Sequence, residues 1–413
     1  MKILHTSDWH IGRLLYRQKR YDEFTSFLDW LVKIVEEQVI DGLIVSGDIF
    51  DTTTPSNKAQ QLYYQFLCKV AASSCRHVVL IAGNHDSPTF LNAPKELLLS
   101  LNVHVVGAIT DDLEDEIIVL SDSSGLPEAI VCAVPYLRDR DIRRVKTGES
   151  IDDKNTMLIK GVKNHYIDIG KKIEDKKVKY GSIPVIGMGH LFTAGGKTIE
   201  GDGVRELYVG SLAHVGKDAF PDNIDYMALG HLHVPQKVGQ CEHIRYSGSP
   251  LPIGFSEATQ EKSVVIVDFN NQPFNIQLYP VPSFQSLERI KGSMDDIIKK
   301  IDDLKAKESK SKKSKIWLEI EYQGQNIAAN LRQILEDCIA DSDIQILRIK
   351  NQRMVQNLTL QAKEEQTLDD LNEIDVFTRL LDTYEVMEEE RPVLMHSYKE
   401  ILTMLNEEDT NAQ

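Results

Sequence analysis

Five apolar runs in this chain each deliver an Asp, Asn or His just past their last hydrophobic residue. "ILHTS" is followed by Asp8, with His10 two residues on. "GLIVSG" is followed by Asp48, and "HVVLIAG" by Asn84, His85 and Asp86. "PVIGMG" is followed by His190. "DYMALG" is followed by His231, with His233 two residues on. Short β-rich runs separated by helical patterns describe an α/β arrangement. In open α/β sheets, sites form outside the carboxyl ends of strands. The pattern therefore predicts one fold edge crowded with metal-ligating side chains. A lone His after an apolar run is ordinarily a loop or core residue; five such ends in one chain point to a site.

The ligand types narrow the chemistry. Carboxylates, imidazoles and one amide, with no thiolate, suit manganese, iron or zinc and argue against a structural zinc site. Seven potential ligands exceed the needs of one ion. They suggest two divalent metals sharing a bridging carboxylate, an arrangement that clamps a phosphoryl group and lowers the pKa of a bridging water. Gly47, Gly83, Gly189 and Gly230 each precede a candidate ligand, where glycine permits a tight backbone path.

The rest of the chain sets the organisation. At 413 residues, two or three domains are expected. Helices are read over Tyr21–Glu37 and Asn57–Ala72, and "KSVVIVDF" closes the strand-rich part. Residues 282–300 read as mostly helical. The lysine-rich "KSKKSK" reads as a solvated bridge, followed by a strand in "KIWLEIEY", a helix in "NIAANLRQILEDCIA" and a strand in "DIQILRIK". Two apolar stripes follow at helical spacing: Val376, Phe377, Leu380, Leu381 and Tyr384, then Leu394, Tyr398, Ile401, Leu402 and Leu405. The expected domains are 1–275, 276–360 and 361–413.

Charge and cysteines bound the setting. The net charge of −16 argues at first against a nucleic-acid partner. Residues 364–413 carry 15 acidic and 3 basic residues, so the body is nearly neutral and has room for a local basic surface. Candidates are Arg13, Arg17, Lys19 and Arg20, and the segment Arg138–Lys146. Five cysteines with no CxxC spacing fit a reducing compartment rather than a disulfide framework. No apolar run is long enough to span a membrane, and the start is not a signal peptide, so a cytoplasmic location is expected. "TAGGKT" at Thr193–Thr198 lacks the first glycine of a phosphate-binding P-loop and is read as a loop beside the site. His5, His77, His104, His165, His214, His243 and His396 lie outside the ligand pattern and are read as ordinary.

The set Asp8-x-His10, Gly47-Asp48, Gly83-Asn84-His85-Asp86 and Gly230-His231-x-His233 resembles the calcineurin-like metallophosphoesterases in order and spacing. "SGDIFD", "YSGSPLPIGFSE" and the acidic helical tail make it similar to the SbcD family of bacterial nuclease subunits. That resemblance implies a β-sandwich flanked by helices, a small α/β capping domain and a C-terminal helical tail. It implies one metal on Asp8, His10, Asp48 and His233, and a second on Asp48, Asn84, His190 and His231, both manganese. His85 would protonate the leaving oxygen rather than bind metal. Asp51 stands where archaeal and eukaryotic relatives have histidine, and is expected to orient His85 and stabilise its charged form, or to cap the following helix. Asp86 has no assigned role.

The resemblance further implies DNA as substrate, cut as a 3′→5′ exonuclease on duplex ends and as an endonuclease on single strands or hairpins. An SbcC-type coiled-coil ATPase would bind residues 366–413. A homodimer within a heterotetramer would form through helices near residues 57–72 and 91–101, with the complex at the nucleoid. A phosphatase acting on small or protein phosphoesters is the alternative; the ~140 residues beyond the catalytic core favour the nuclease.

Overall fold

A computed structural model describes residues 1–143, 150–193, 215–271, 273–308, 315–324 and 331–351, with positions 377, 378, 381, 391, 394, 395 and 398. Contacts divide the chain into two compact units. One comprises Met1–Ile290, Ile298–Ile320 and Ala329–Arg348. The other comprises Lys291–Ile297, Glu321–Ala328 and Ile349–Gln413.

The amino-terminal half alternates as the apolar pattern predicts. Strand β1 (Lys2–Thr6) leads to α1 (Tyr21–Glu37), β2 (Gly42–Ser46) to α2 (Asn57–Ala71), and β3 (His77–Ile81) through short α3 (Pro88–Asn92) and α4 (Lys95–Leu99) to β4 (Val103–Val106). After β5 (Ile117–Ser121), β6 (Pro127–Ala133) and α5 (Asp139–Ile142) comes α6 (Ile151–Tyr180). Then follow β7 (Val185–His190), β8 (Tyr226–Gly230), β9 (Gln236–Val238), β10 (Cys241–Tyr246), β11 (Ser263–Asp268) and β12 (Asn275–Pro280). One six-stranded sheet runs β12-β11-β1-β2-β3-β4 and the other β5-β6-β7-β8-β10-β9. The strands that carry candidate ligands, β1, β2 and β3 in the first sheet and β7 and β8 in the second, are parallel within each sheet.

Side-chain alternation along these strands builds the layers. Ile3, Ile44, Val79 and Ile81 share a core with Val131, Ala133, Ile186, Met188 and Ala228 between the sheets. Their neighbours Leu4, Leu43, Val45, Val78 and Leu80 point the other way, onto α1 and α2. Ile130 and Cys132 point onto α6. The period-2 geometry of a strand requires this division. The helices answer with stripes at 3–4 spacing: Phe24, Phe27, Leu28 and Leu31 on α1, and Leu158, Val162, Tyr166, Ile169 and Ile173 on α6. Each such large apolar side chain contributes roughly 1.5–3 kcal/mol on burial. Helix starts are marked locally. Ser56 caps α2 by accepting the Ala59 N–H, and Ser150 and Asp153 form a capping box on α6. The result is a two-sheet sandwich with helices on both outer faces, as expected for the calcineurin-like fold.

The small α/β part holds β13 (Ser286–Gly292), α7 (Met294–Glu308), β14 (Ile316–Tyr322), α8 (Leu331–Ile339) and β15 (Ile344–Asn351), in a sheet ordered β13-β14-β15. This corrects the expectation for 282–300, in which Ser286–Gly292 is strand. The helix begins only at Met294, just after Ser293. There the Ser293 hydroxyl accepts the Asp296 N–H and the Asp296 carboxylate accepts the Ser293 N–H. Most of the tail stripes, "TAGGKT" after Thr193 and most of "KSKKSK" lie outside the described residues. Phe377 of the first stripe stacks on Tyr398 of the second, with ring centroids 4.0 Å apart. All five cysteines are free thiols. Among the described residues no helix is long and apolar enough to cross a membrane.

Two buried polar groups tie loops and sheets together. Asp86, left without a role by the sequence, is fully buried and accepts the backbone N–H groups of Gly83, Ile49 and Phe50 at 2.9–3.1 Å. It pins the loop after β3 to the loop after β2. His5 spans the sandwich, its Nδ1 2.9 Å from the Tyr226 hydroxyl, and burial drives its pKa down to about 3.

Each group yields an expected outcome. An Asp86→Ala variant orphans three buried N–H groups at a cost of about 1–3 kcal/mol each; urea unfolding should show a loss of several kcal/mol. His5 is neutral when folded and ordinary when unfolded, so its contribution is complete above pH ~6.5 and is lost as pH falls toward 3. In chelator, the wild type should lose about 2 kcal/mol more than His5→Gln between pH 7 and pH 5. Equal losses would remove His5 as a source of acid sensitivity.

Candidate metal centre

The strand ends from both sheets meet in a small, almost fully buried space. Asp8 and His10 follow β1, Asp48 follows β2, Asn84 and His85 follow β3, His190 ends β7, and His231 and His233 follow β8. Of these, Asp8, His10, Asp48, His85, His190, His231 and His233 are each at most 5% exposed. Four candidate ligands, Asp8, His10, Asp48 and His231, have positive φ, between 48° and 100°. Non-glycine residues rarely adopt this conformation, and its clustering marks places where side-chain aim outweighs backbone comfort.

The preceding glycines act mainly by absence of a side chain. Only Gly47 among the four has a left-handed φ, +86°. A Cβ on Gly230 would strike the Ser46 carbonyl, and one on Gly83 would strike the Asp48 carboxylate. The tight-turn expectation thus holds for Gly47; at Gly83 and Gly230 the need is close approach.

Asp48 sits at the middle. Its Oδ2 lies 3.6 Å from His10 Nε2 and 3.4 Å from His190 Nε2, while Oδ1 accepts the His85 backbone N–H at 2.8 Å. Burial pushes the Asp48 carboxyl up, but His190, His10 and His85 outweigh it and hold the carboxyl well below its usual range. His190 Nδ1–H donates to the Ser46 carbonyl at 2.9 Å, so Nε2 faces Asp48 and the Asn84 Oδ1, 2.9 Å away. Burial alone would lower His190, yet Asp48 and Asp8 raise it to about 9. That field favours a positive charge, whether proton or cation. His231 is driven the other way, first by burial and then by the His190 charge; its ring lies 5.3 Å from that of His190. Its backbone N–H donates to Asp8 Oδ1 at 2.9 Å.

Ligand-capable atoms of Asp8, His10 and His233 fall within 4.8 Å of one another, as do those of Asp8, Asp48 and His190, and those of His10, Asp51 and His85. Three carboxylates or imidazoles at this spacing are the donor set of a hard-to-borderline divalent cation, so the residues present fit such an ion.

Asp51 departs from the expected carboxylate–imidazole pairing. His85 Nδ1–H donates at 2.8 Å to the main-chain carbonyl of Asp51. The Asp51 carboxylate lies 3.3 Å from His10 Nδ1 and accepts from Arg13 at 2.9 Å. Burial raises its pKa, but His10 and then Arg13 bring it down to about 2. The cap of the following helix is Ser56, not Asp51. Arg13 is thereby engaged with Asp51, and Arg20 is buried against Glu23 at 2.7 Å, which removes it from any external surface. Arg17 and Lys19 are exposed. Outside the site, His165 pairs with buried Glu116 at 2.8 Å, an ordinary structural role.

Several contributors were not picked out from the sequence. Ser7 Oγ–H donates to Asp8 Oδ2 and lies 2.8 Å from Ser247 Oγ. Glu257 lies behind His233, its Oε1 3.6 Å from Nδ1. Both Ser247 and Glu257 belong to "YSGSPLPIGFSE", a segment read only as a likeness; its one acidic residue in an apolar stretch was the available signal.

Residues 1–235 match the calcineurin-like phosphoesterase family, and residues 283–384 match the type 5 capsule protein repressor C-terminal domain. The chain is 32% identical over 410 residues to the D subunit of the nuclease SbcCD from Escherichia coli K12, covering 98% of each chain. It is 34% identical to the protein of that name from Rhodobacter capsulatus, over 74% of this chain and 76% of the relative. The Bacillus subtilis protein is 35% identical over 65% of this chain and 66% of its own. The sandwich, the convergent Asp/His cluster and full-length similarity agree: the chain is a calcineurin-like metallophosphoesterase and belongs to the family of the SbcD nuclease subunits.

Proposed function

We propose that this protein is the nuclease subunit of an SbcCD-type complex, cutting DNA as a 3′→5′ exonuclease on duplex ends and as an endonuclease on single strands and hairpins. The observation that carries the site reading is one oxygen of Asp48 lying between an imidazole of each ligand set, 3.6 Å from His10 and 3.4 Å from His190. We assign one cation to Asp8, His10, Asp48 and His233, and a second to Asp48, Asn84, His190 and His231, with Asp48 bridging and manganese as the ion. Bound there, two such cations supply Lewis acidity toward a phosphodiester and a nucleophile at neutral pH.

The chain's own groups do the rest. Asp48 keeps its negative charge in the buried site, and the Ser46 carbonyl holds the Nδ1 proton of His190 so that its Nε2 faces the cation position. The Asp51 carbonyl fixes the Nδ1 proton of His85, which leaves Nε2 to hold and deliver the proton that the leaving oxygen needs. Arg13 and the Asp51 carboxylate brace the loop after His10. Arg17, Lys19, Arg138 and Arg140 are the basic residues we assign to DNA phosphates.

In this reading 1–275 is the nuclease domain, 276–360 the capping domain and 361–413 the tail. We assign residues 366–413, whose sequence carries the two apolar stripes, to binding a coiled-coil ATPase of the SbcC type. Exposure of Leu97, Leu99 and Leu101 supports a homodimer through α2 and the 91–101 segment, within a heterotetramer at the cytoplasmic nucleoid.

The test uses the purified chain with and without its ATPase partner, in manganese. A labelled hairpin duplex should be cut, with weak turnover of a generic phosphomonoester. Strong monoester turnover with no DNA cleavage in either preparation would replace this reading with a phosphatase. A His85→Ala variant should retain its metals and lose about 10²–10⁴-fold in cleavage rate. Undiminished cleavage would remove the proton-delivery role.

A further inference from the structure

Behind His233 lies a buried charge pair that the catalytic reading does not use. Glu257 is fully buried. Its Oε2 accepts from the Ile253 backbone N–H at 3.0 Å, from Lys262 Nζ at 2.5 Å and from Ser249 Oγ at 3.5 Å. Lys262, also buried, donates as well to the carbonyl of His233 at 3.3 Å, to Ser249 Oγ at 3.0 Å and to Gln260 Oε1 at 3.1 Å. The pair therefore grips His233 at its main chain while its other face meets the imidazole.

That face is the informative one. Glu257 Oε1 is buried without a hydrogen-bond partner and lies 3.6 Å from His233 Nδ1. A buried ion pair is weak support for stability, because desolvation offsets its attraction. A buried carboxylate oxygen with no donor is costlier still. Its natural donor is the Nδ1–H of His233, available in the tautomer that turns the Nε2 lone pair toward Asp8 and His10. The gap exceeds a hydrogen bond by a few tenths of an ångström, which a small ring movement closes. His190, by contrast, gives its Nδ1 proton to a neutral carbonyl, that of Ser46. A charged acceptor makes an imidazole a stronger ligand than a neutral one does.

We infer that Glu257, held by Lys262, is a positioning residue that sets the tautomer and aim of His233 and makes the Asp8–His10–His233 site the tighter of two unequal cation sites. This rests on the two-cation reading above.

The test is manganese titration of the full-length chain, following the spectroscopic signal of free Mn²⁺. Glu257→Gln keeps the shape: its amide oxygen stays with Lys262 and Ile253, and its NH₂ group faces Nδ1, donor against donor. It should weaken the tighter of the two sites by about 10–100-fold and leave the other unchanged. His233→Ala should abolish binding at the same site. Should Glu257→Gln fail to fold, as circular dichroism would reveal, the double variant Glu257→Gln/Lys262→Met removes both buried charges and gives the same readout. Two sites as tight as in the wild type, or both weakened alike as in a general loosening, would overturn the positioning role while leaving the two-cation reading intact. A wild-type chain that binds no manganese, or a His233→Ala variant that loses none, would overturn the underlying reading instead.

Discussion

A carboxylate buried among imidazoles governs this molecule. Asp48 follows β2, whose Ser46 bonds to Ala228 and His190 of the other sheet, and it is stable as an anion there only because His190, His10 and His85 surround it. Burying a charge without compensation is prohibitive. The histidines must therefore arrive from other strands, and their backbones must be forced into position. Left-handed conformations at Asp8, His10, Asp48 and His231, and missing side chains at Gly83 and Gly230, are consequences of that demand. The surrounding sandwich supplies the rigidity that keeps the strained residues from relaxing.

The division of labour inside the site follows from what each ring nitrogen meets. His190 and His85 both give Nδ1–H to main-chain carbonyls, of Ser46 and Asp51. His233 faces a carboxylate instead, and the Asp51 carboxylate faces His10. Polar groups outside the first ring of side chains thus decide which nitrogen of each imidazole looks inward. Asp86 has a plainer task, since its two oxygens satisfy three backbone donors and hold two of the loops in register.

Much of this was legible because it is local. An apolar run that stops at Gly-Asp or Gly-Asn-His declares both a strand and what stands at its end, and α1 and α2 follow from stripes that no other period explains. What was hidden depends on distance or on backbone. Glu257 reads as one more acid in a loop until folding sets it behind His233, 24 residues earlier. Asp51 was expected to act through its carboxylate, and sequence cannot reveal that its carbonyl is the group His85 meets. Strand β13 hides in a segment read as mostly helical, because the helix that follows it from Met294 shares that short stretch. Arg20 looked like a surface cation until Glu23 and Phe24 enclosed it.

The ligands are drawn from three strands of one sheet and two of the other, from Asp8 to His233. Neither sheet alone presents the Asp8–His10–His233 or Asp8–Asp48–His190 grouping. A cation that uses them recognises only the closed sandwich and is blind to either half. Occupancy is then a latch between the sheets: each tenfold rise in free cation above the dissociation constant adds about 1.4 kcal/mol to the folded state. The same ions that serve the reaction would report, and enforce, that the two halves of the chain have met.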